Sequence, residues 1–180
     1  MRIGSSGCAR RRIAFGSAAL CAWAALAVTA QAGPRYTDPE RRFSFLPPVG
    51  WKRASEDVPK DAVAFVGPMD GEFAPNVTLT GEPVGDVTLD RFVAGARALP
   101  AQIKGVTILN EKRTTLGGKP AYLWRLRLTF PNKPVVENRQ VFCVVAKRAY
   151  VLTFSAQPEK MKRYEATLHR LLVSFQWEKG

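Results

Sequence analysis

The residues of this chain that are suited to catalysis or metal binding are few and scattered. His169 is the single histidine, and it follows Glu165 by one helical turn. Such a pair is able to share a metal ion or to respond to pH. Metal sites need three or four ligands, and no third ligand is evident in the sequence nearby. We therefore interpret the pair as part of an exposed polar helix face, and no metal site is predicted.

Cys143 lies between Phe142 and Val144, in the most apolar predicted strand of the chain. Burial among apolar side chains raises the pKa of a thiol, and no histidine accompanies this cysteine in sequence. We predict a buried, unreactive thiol rather than a nucleophile. The sequence contains no catalytic constellation, so no enzymatic activity is predicted.

A polar loop contains oxygen atoms of the kind that calcium prefers, at Asp70, Glu72 and Asn76. Calcium takes about six to eight oxygen ligands, and this loop has fewer acids than strong calcium motifs. The segment Asn76-Val77-Thr78 also matches a glycosylation sequon, but its position in a predicted strand argues against its use. Neither pattern predicts a site, and no cofactor is expected.

Basic residues are the most numerous candidates for binding. Two exposed sets are predicted from helical and strand periodicity. They are a helix band (Lys160, Lys162, Arg163 and Arg170) and a sheet-face set (Arg125 and Arg127, with Arg139 beside them). A solvated, solubilising surface is the alternative interpretation. We predict that these residues contact a partner, because a basic domain without an active site has charge as its clearest surface feature.

The N terminus has the order of parts of a secretory signal peptide. Arg10-Arg11-Arg12 precedes an apolar run over residues 13–30, and Ala30-Gln31-Ala32 supplies small residues for cleavage. We expect cleavage near Ala32 and a periplasmic or secreted protein. A retained membrane anchor is the alternative, because the apolar run approaches the roughly 20 residues of a bilayer span. The twin-arginine match is loose, so the export route stays open.

Removal of residues 1–32 changes both the charge and the cysteine content. The remaining 148 residues contain 23 basic and 15 acidic side chains, a formal charge of +8, and one of the three cysteines. An internal disulfide is then impossible, and the length suits one domain over residues 33–180. We expect the partner to be an envelope protein or an anionic envelope component, with peripheral membrane contact possible. Nucleic acid is not expected, because the usual motifs are absent from the sequence.

The elements that position these residues are mostly strands. Strands are predicted over residues 43–45, 63–66, 76–80, 106–113, 121–130, 138–146 and 150–156, and helices from Thr88 to near Gly105 and from Pro158 to Val173. The first helix is expected to place Ile103 in the core and to break or kink at Pro100, and the alternation around Trp124 predicts one core face for residues 121–130. Residues 141–146 are apolar on both faces, as expected of a central strand with helices on either side. We predict an α+β domain with a mainly antiparallel sheet of about six to seven strands between helices.

Several short motifs then resemble a known family. In the first half they are Tyr36, Phe43-Ser44-Phe45, Pro48-x-Gly50-Trp51, Phe65 and Asn76-Val77-Thr78-Leu79; in the second half they are Gly118, Tyr122, Tyr150-Val151-Leu152-Thr153-Phe154 and Ser174-Phe175-Gln176-Trp177. Together they resemble PsbP-like domains over nearly the whole predicted mature chain. The resemblance implies a fold shared with the bacterial DcrB-like envelope proteins and the Ran-binding Mog proteins.

The matched residues are structural, so the resemblance implies a fold and not a reaction. We expect an exported, non-enzymatic PsbP-like or DcrB-like accessory protein that binds an envelope protein or component through its basic surface. One alternative is a periplasmic domain that binds a small ligand or metal ion in a pocket between the sheet and the N-terminal loops. A hydrolase with dispersed catalytic residues is a further alternative. The oligomeric state stays open.

Overall fold

A seven-stranded antiparallel sheet forms the middle layer of the molecule. The structure is a computed structural model that describes residues 33–55 and 58–178. The strand order is β3-β4-β5-β9-β8-β7-β6. The strands are β3 (Lys52–Arg53), β4 (Ala62–Val66), β5 (Asn76–Pro83), β6 (Val106–Leu116), β7 (Lys119–Leu128), β8 (Val136–Val145) and β9 (Arg148–Ala156). The predicted antiparallel sheet is thereby confirmed, and β3 is an addition to the predicted strands.

A second, three-stranded sheet was not predicted. It consists of β1 (Tyr36–Asp38), β2 (Phe43–Phe45) and β10 (Gln176–Trp177), with β2 in the centre. Ser44 of β2 pairs with both Thr37 and Gln176. The predicted strand at Phe43–Phe45 is therefore correct, but its partner β10 comes from the far end of the chain. No local sequence signal announces a pairing over that separation.

The two faces of the large sheet carry different layers. On one face lie helices α1 (Leu89–Ala96) and α2 (Ala98–Gln102), and α1 packs on β7 and β8. On the other lie helix α3 (Pro158–Ser174), which packs on β8 and β9, and the small sheet, whose strand β2 contacts α3. We call these the α1 face and the α3 face. Strand β8 is thus covered by a helix on both sides, as the apolar run at 141–146 predicted.

The first helix begins where the sequence predicts and ends earlier. Thr88 caps it, and its side chain accepts a hydrogen bond of 3.3 Å from the backbone N–H of Arg91. The sequence predicts one helix to near Gly105 with a break or kink at Pro100, and the structure has two short helices, the second of which contains Pro100. Pro100 explains the break, because proline has no N–H to donate to the carbonyl of Ala96, the last residue of α1.

Helix α3 matches the prediction closely. Pro158 occupies its first turn, and Met161, Leu168 and Leu171 are buried against the sheet. Phe175, directly after the helix, is also buried. The prediction for the first helix was less accurate, because Ile103 was expected in the core and is 48 % exposed. Among the described residues, no helix is both long enough and apolar enough to cross a membrane.

The predicted signal peptide, residues 1–32, lies outside the described residues. Residues 33–178, apart from 56 and 57, belong to one compact unit. The placement of the candidate residues below concerns this unit alone.

Candidate functional site

A buried carboxylate organises the basic residues of the sheet. Glu137 on β8 is 3 % exposed, and it accepts two hydrogen bonds from Arg125 of the neighbouring strand, from Nε and Nη2 at 3.2 Å each. It also accepts a 2.9 Å hydrogen bond from Nε of Arg139. Arg139 in turn lies 3.8 Å from the carboxylate of Glu165 on α3. One chain of ion pairs therefore joins the sheet-face set to the last helix.

The protonation of Glu137 is governed by two opposing influences. Burial by itself raises the pKa of this carboxyl group, and the hydrogen bonds from Arg125 and Arg139 lower it. The hydrogen bonds and the two positive charges outweigh burial, so the pKa of Glu137 lies below its ordinary value. Glu137 is therefore charged at neutral pH and orients both guanidinium groups.

A second acidic residue, Asp70, holds part of the helix band. It forms ion pairs with Lys160, at 3.5 Å, and with Arg163. It also accepts a hydrogen bond of 2.7 Å from the hydroxyl group of Tyr164. Asp70 belongs to the loop between β4 and β5, so these contacts fasten that loop to α3. The carboxylate that was considered as a calcium ligand thus pairs with two of the predicted partner-binding cations and balances one of their two charges.

Three of the six predicted partner-binding residues remain available for a partner. Arg127, Lys162 and Arg170 are exposed, and none has a carboxylate within 4.0 Å among the residues that the structure describes. Arg127 follows Arg125 by two positions on β7 and therefore points to the same side of the sheet. Since Arg139 on that side reaches α3, the helix band and the sheet-face set share the α3 face.

In the described part of the chain, the residues suited to catalysis or metal binding do not lie together in a reactive centre. His169 and Glu165 are both exposed, and Glu165 faces Arg139. Within the described ranges, no group of three histidine, cysteine or acidic side chains is placed to hold a metal ion. Cys143 is fully buried as predicted, and its Sγ lies 3.3 Å from the carbonyl oxygen of Pro120. Burial raises the pKa of this thiol to about 11, so it stays protonated.

The α1 face contains a cavity that sequence analysis missed. Its volume is about 420 Å³, and it lies between the α1–α2 pair and strands β5, β7, β8 and β9. Trp124 and Asn138 line it, and the Nε1 atom of Trp124 and the Oδ1 atom of Asn138 are buried without a hydrogen-bond partner in the described structure. Trp124 was interpreted as a core residue. Asn138 carries a polar amide in a strand that was otherwise predicted to be largely buried, and this was the one sequence signal that could have indicated the cavity.

A comparison with protein families decides the classification. The family model for PsbP matches residues 33–177, which is most of the chain and includes every strand and helix of its described part. The chain belongs to the PsbP family. The predicted resemblance is therefore confirmed. No curated protein matches the chain in sequence.

Solved structures with this fold are distant in sequence. CyanoP, the PsbP of the cyanobacterium Synechocystis sp. PCC 6803, has a TM-score of 0.58 and 14% identity, with 80% of this chain and 91% of that chain covered. LpqN of Mycobacterium tuberculosis, described as involved in cell envelope biogenesis, has a TM-score of 0.60, 14% identity, and 81% and 90% coverage.

The Ran-binding protein Mog1p of Saccharomyces cerevisiae also matches, with a TM-score of 0.55, 12% identity, and 80% and 94% coverage. At these identities the similarity shows a shared fold. The PsbP fold of this chain thus has one structural neighbour associated with the cell envelope and one that binds Ran.

Proposed function

We propose that this protein is an exported, non-enzymatic accessory factor that binds an acidic envelope protein or another anionic envelope component through the α3 face. The observation that carries the proposal is the group of three exposed cations without a neighbouring carboxylate, Arg127, Lys162 and Arg170. Export follows from the predicted signal peptide. The envelope setting is also supported by LpqN, which has this fold and is described as involved in envelope biogenesis.

Some of the basic residues on the α3 face have a carboxylate neighbour within the fold and others have none, and this difference supports a binding surface. Arg125 shares Glu137 with Arg139, and Lys160 shares Asp70 with Arg163, so each of these cations has a carboxylate beside it that balances part of its charge. Exposed cations that lack such partners retain their full attraction for an acidic surface, and this attraction raises association rates. The cations that remain unpaired are therefore the ones expected to meet the partner.

Proximity labelling in the native host tests the proposal. A variant with Arg127, Lys162 and Arg170 all changed to glutamine is compared with the natural protein. Three exposed ion pairs at about 0.5 kcal/mol each correspond to about 1.5 kcal/mol. We therefore expect the yield of labelled envelope partners to fall about tenfold. The natural complex is also expected to weaken as the salt concentration rises, because salt screens exposed charges.

A matched control removes three charges from elsewhere on the surface. Arg91, Lys104 and Lys133 are exposed and have no carboxylate within 4.0 Å in the described part of the chain. Their triple change to glutamine is expected to leave labelling unchanged. Equal losses in both triple variants would mean that net charge, and not the α3 face, determines binding. An unchanged partner set in the first variant would overturn the proposal.

A further inference from the structure

We propose that the cavity on the α1 face binds a neutral, mainly apolar small molecule that carries an amide or a hydroxyl group. This site is separate from the basic α3 face and does not depend on the partner proposed for it. It also differs from the predicted pocket between the sheet and the N-terminal loops, because residues of helices α1 and α2 line the cavity on the side opposite the sheet.

Two residues that line this cavity each have a buried polar atom without a partner in the described structure. Trp124 is 1 % exposed and Asn138 is 9 % exposed, and neither the indole N–H nor the amide oxygen has a hydrogen-bond partner in the described structure. An unsatisfied buried polar group costs about 1–3 kcal/mol, so two of them beside one cavity need an explanation. A ligand that hydrogen-bonds to both would remove this cost.

The sheet register places the two groups close to each other. Trp124 of β7 pairs with Gln140 of β8, and Asn138 is two residues from Gln140 on the same strand. Trp124 and Asn138 are thus diagonal neighbours on one face of the sheet. The Cα atoms of such neighbours are about 7–8 Å apart. One supplies a donor and the other an acceptor. A bound group therefore has to accept and donate, which is what an amide or a hydroxyl group does.

The remaining walls of the cavity suit an uncharged apolar body. Phe92 and Ala96 come from α1, and Leu126 and Phe142 from the sheet. Of the described residues that line the cavity, Glu82 alone is charged. An anionic head group would find no cation to neutralise it, so carboxylates and phosphates are disfavoured. The volume of about 420 Å³ lies within the range of about 300–1,000 Å³ that is typical of small-molecule sites.

Exposed apolar side chains lie beside the cavity. Ile103, 48 % exposed, lines it, and a neighbouring depression of about 300 Å³ shares Leu128 and Asn138 with it. Phe130, 36 % exposed, lines that second depression. Exposed apolar side chains beside a cavity are characteristic of ligand sites. Apolar side chains therefore continue from the cavity to the second depression.

Calorimetric titration of the protein purified from its host, with three probes, tests the class of ligand. The probes are decanamide and decanol, which donate and accept, and decanoate, which is anionic. We expect saturable binding of the first two at one site and at least tenfold weaker binding of decanoate. In a nitrogen-15 correlation spectrum, the indole N–H resonance of Trp124, assigned with the variant W124F, is expected to shift on addition of decanamide.

Two variants locate the site, and one serves as control. Asn138→Leu removes the acceptor and is expected to weaken decanamide binding about three- to tenfold, the value of one hydrogen bond. Ala96→Leu fills the cavity from α1 and is expected to abolish binding. Asn110→Leu, at an exposed position on edge strand β6, is expected to bind like the natural protein. Circular dichroism of each variant checks that it is folded.

Three results would overturn the proposal. They are the absence of saturable binding by decanamide and decanol, binding that survives both Asn138→Leu and Ala96→Leu in folded protein, and decanoate binding as tight as that of decanamide. The structure of a crystal soaked with decanamide adds a further check. Ordered waters that stay on Trp124 and Asn138 in that crystal would mean that hydration alone satisfies these atoms.

Discussion

The two faces of the large sheet are built from the same strands and differ in how completely they are packed. On the α3 face, Phe43, Phe45 and Phe175 stack with ring centroids 5.5–6.1 Å apart and are fully buried. On the α1 face, Trp124 and Phe142 form a smaller cluster beside a cavity with unpartnered polar atoms. The comparison indicates that the α3 face stabilises the fold and the α1 face leaves room for a ligand.

The covering layers explain this difference. Helix α3 has 17 residues, and the small sheet adds a further layer on the same side. Helix α1 has eight residues and α2 has five. The short helices leave polar side chains of β8 and β9, such as Gln140 and Thr153, beside the cavity instead of beneath a packed helix. The two short helices therefore cover the α1 face less completely than α3 and the small sheet cover the α3 face.

The largest expected effect is a contrast between two leucines. Leu152 on the α3 face is fully buried, whereas Leu128 is half-buried and lines the cavity. We expect Leu152→Ala to lower the free energy of unfolding by about 3 kcal/mol and Leu128→Ala by about 1 kcal/mol, because the second already adjoins empty space. Urea titration measures both. Equal losses would show that the two faces are packed alike.

A smaller effect is expected at the buried carboxylate of the α3 face. Glu137→Gln leaves Arg125 and Arg139 without their shared charge and is expected to cost about 2 kcal/mol at neutral pH, because both arginines retain contact with water. Glu165→Gln is the matched control, since that carboxylate is 61% exposed, and it is expected to cost less than about 0.5 kcal/mol. Similar losses would argue against a special role of Glu137.

The loss of stability caused by Glu137→Gln is expected to depend on pH. The pKa of Glu137 is lowered in the folded protein, so its carboxylate stabilises the fold at pH values above the unfolded-state pKa of about 4.3. This contribution is lost as the pH falls through the folded-state pKa. The difference in unfolding free energy between the natural protein and Glu137→Gln is therefore expected to shrink below about pH 4. A constant difference down to pH 2 would contradict the lowered pKa.

A matched pair of enlargements compares the packing of the two faces directly. Ala156 is buried on the α3 face, and Ala96 lines the cavity. Ala156→Leu is expected to cost about 1–3 kcal/mol by overpacking, whereas Ala96→Leu is expected to add about 0.5 kcal/mol by filling space. Thermal unfolding followed by circular dichroism measures both. A comparable loss in the two variants would mean that the α1 face has no usable space.

The smallest effect is expected for the unpaired cations. Lys162 and Arg170 are exposed and have no ion-pair partner within 4.0 Å among the described residues. The double variant Lys162→Gln and Arg170→Gln is expected to change the unfolding free energy by less than about 0.5 kcal/mol. Chemical denaturation checks this value. A larger loss would indicate that these residues stabilise the fold, and the proposed separation of binding cations from structural ones would be wrong.

Much of the fold was predictable from local patterns. The Thr88 cap, Pro158 at the start of α3 and the alternation around Trp124 are signals carried by a few adjacent residues. The misplaced Ile103 shows the limit of periodicity, because the apolar pattern continues past the end of α1 at Ala96, where the regular helix stops.

The candidate sites were predictable in part. The basic residues and their exposure were recognised from sequence, but periodicity does not report that Asp70 and Glu137 engage Arg125, Lys160 and Arg163. The Asp70 contacts join segments far apart in the chain, and the Glu137 contacts depend on the register between β7 and β8. The cavity beside Asn138 was missed altogether, because a void depends on the lengths and angles of the elements around it and has no residue pattern of its own.

The amino-acid sequence by itself determined the PsbP family, the succession of the longer strands and the two helical regions, and the basic character of the predicted mature domain. The reason is that caps, alternation and family motifs are properties of neighbouring residues. Tertiary structure alone decided that both basic sets share the α3 face, that three of their cations are left unpaired, and that the α1 face has a cavity beside Trp124. These features depend on pairing between distant strands and on the different lengths of the covering helices, which bring together residues that local patterns keep separate.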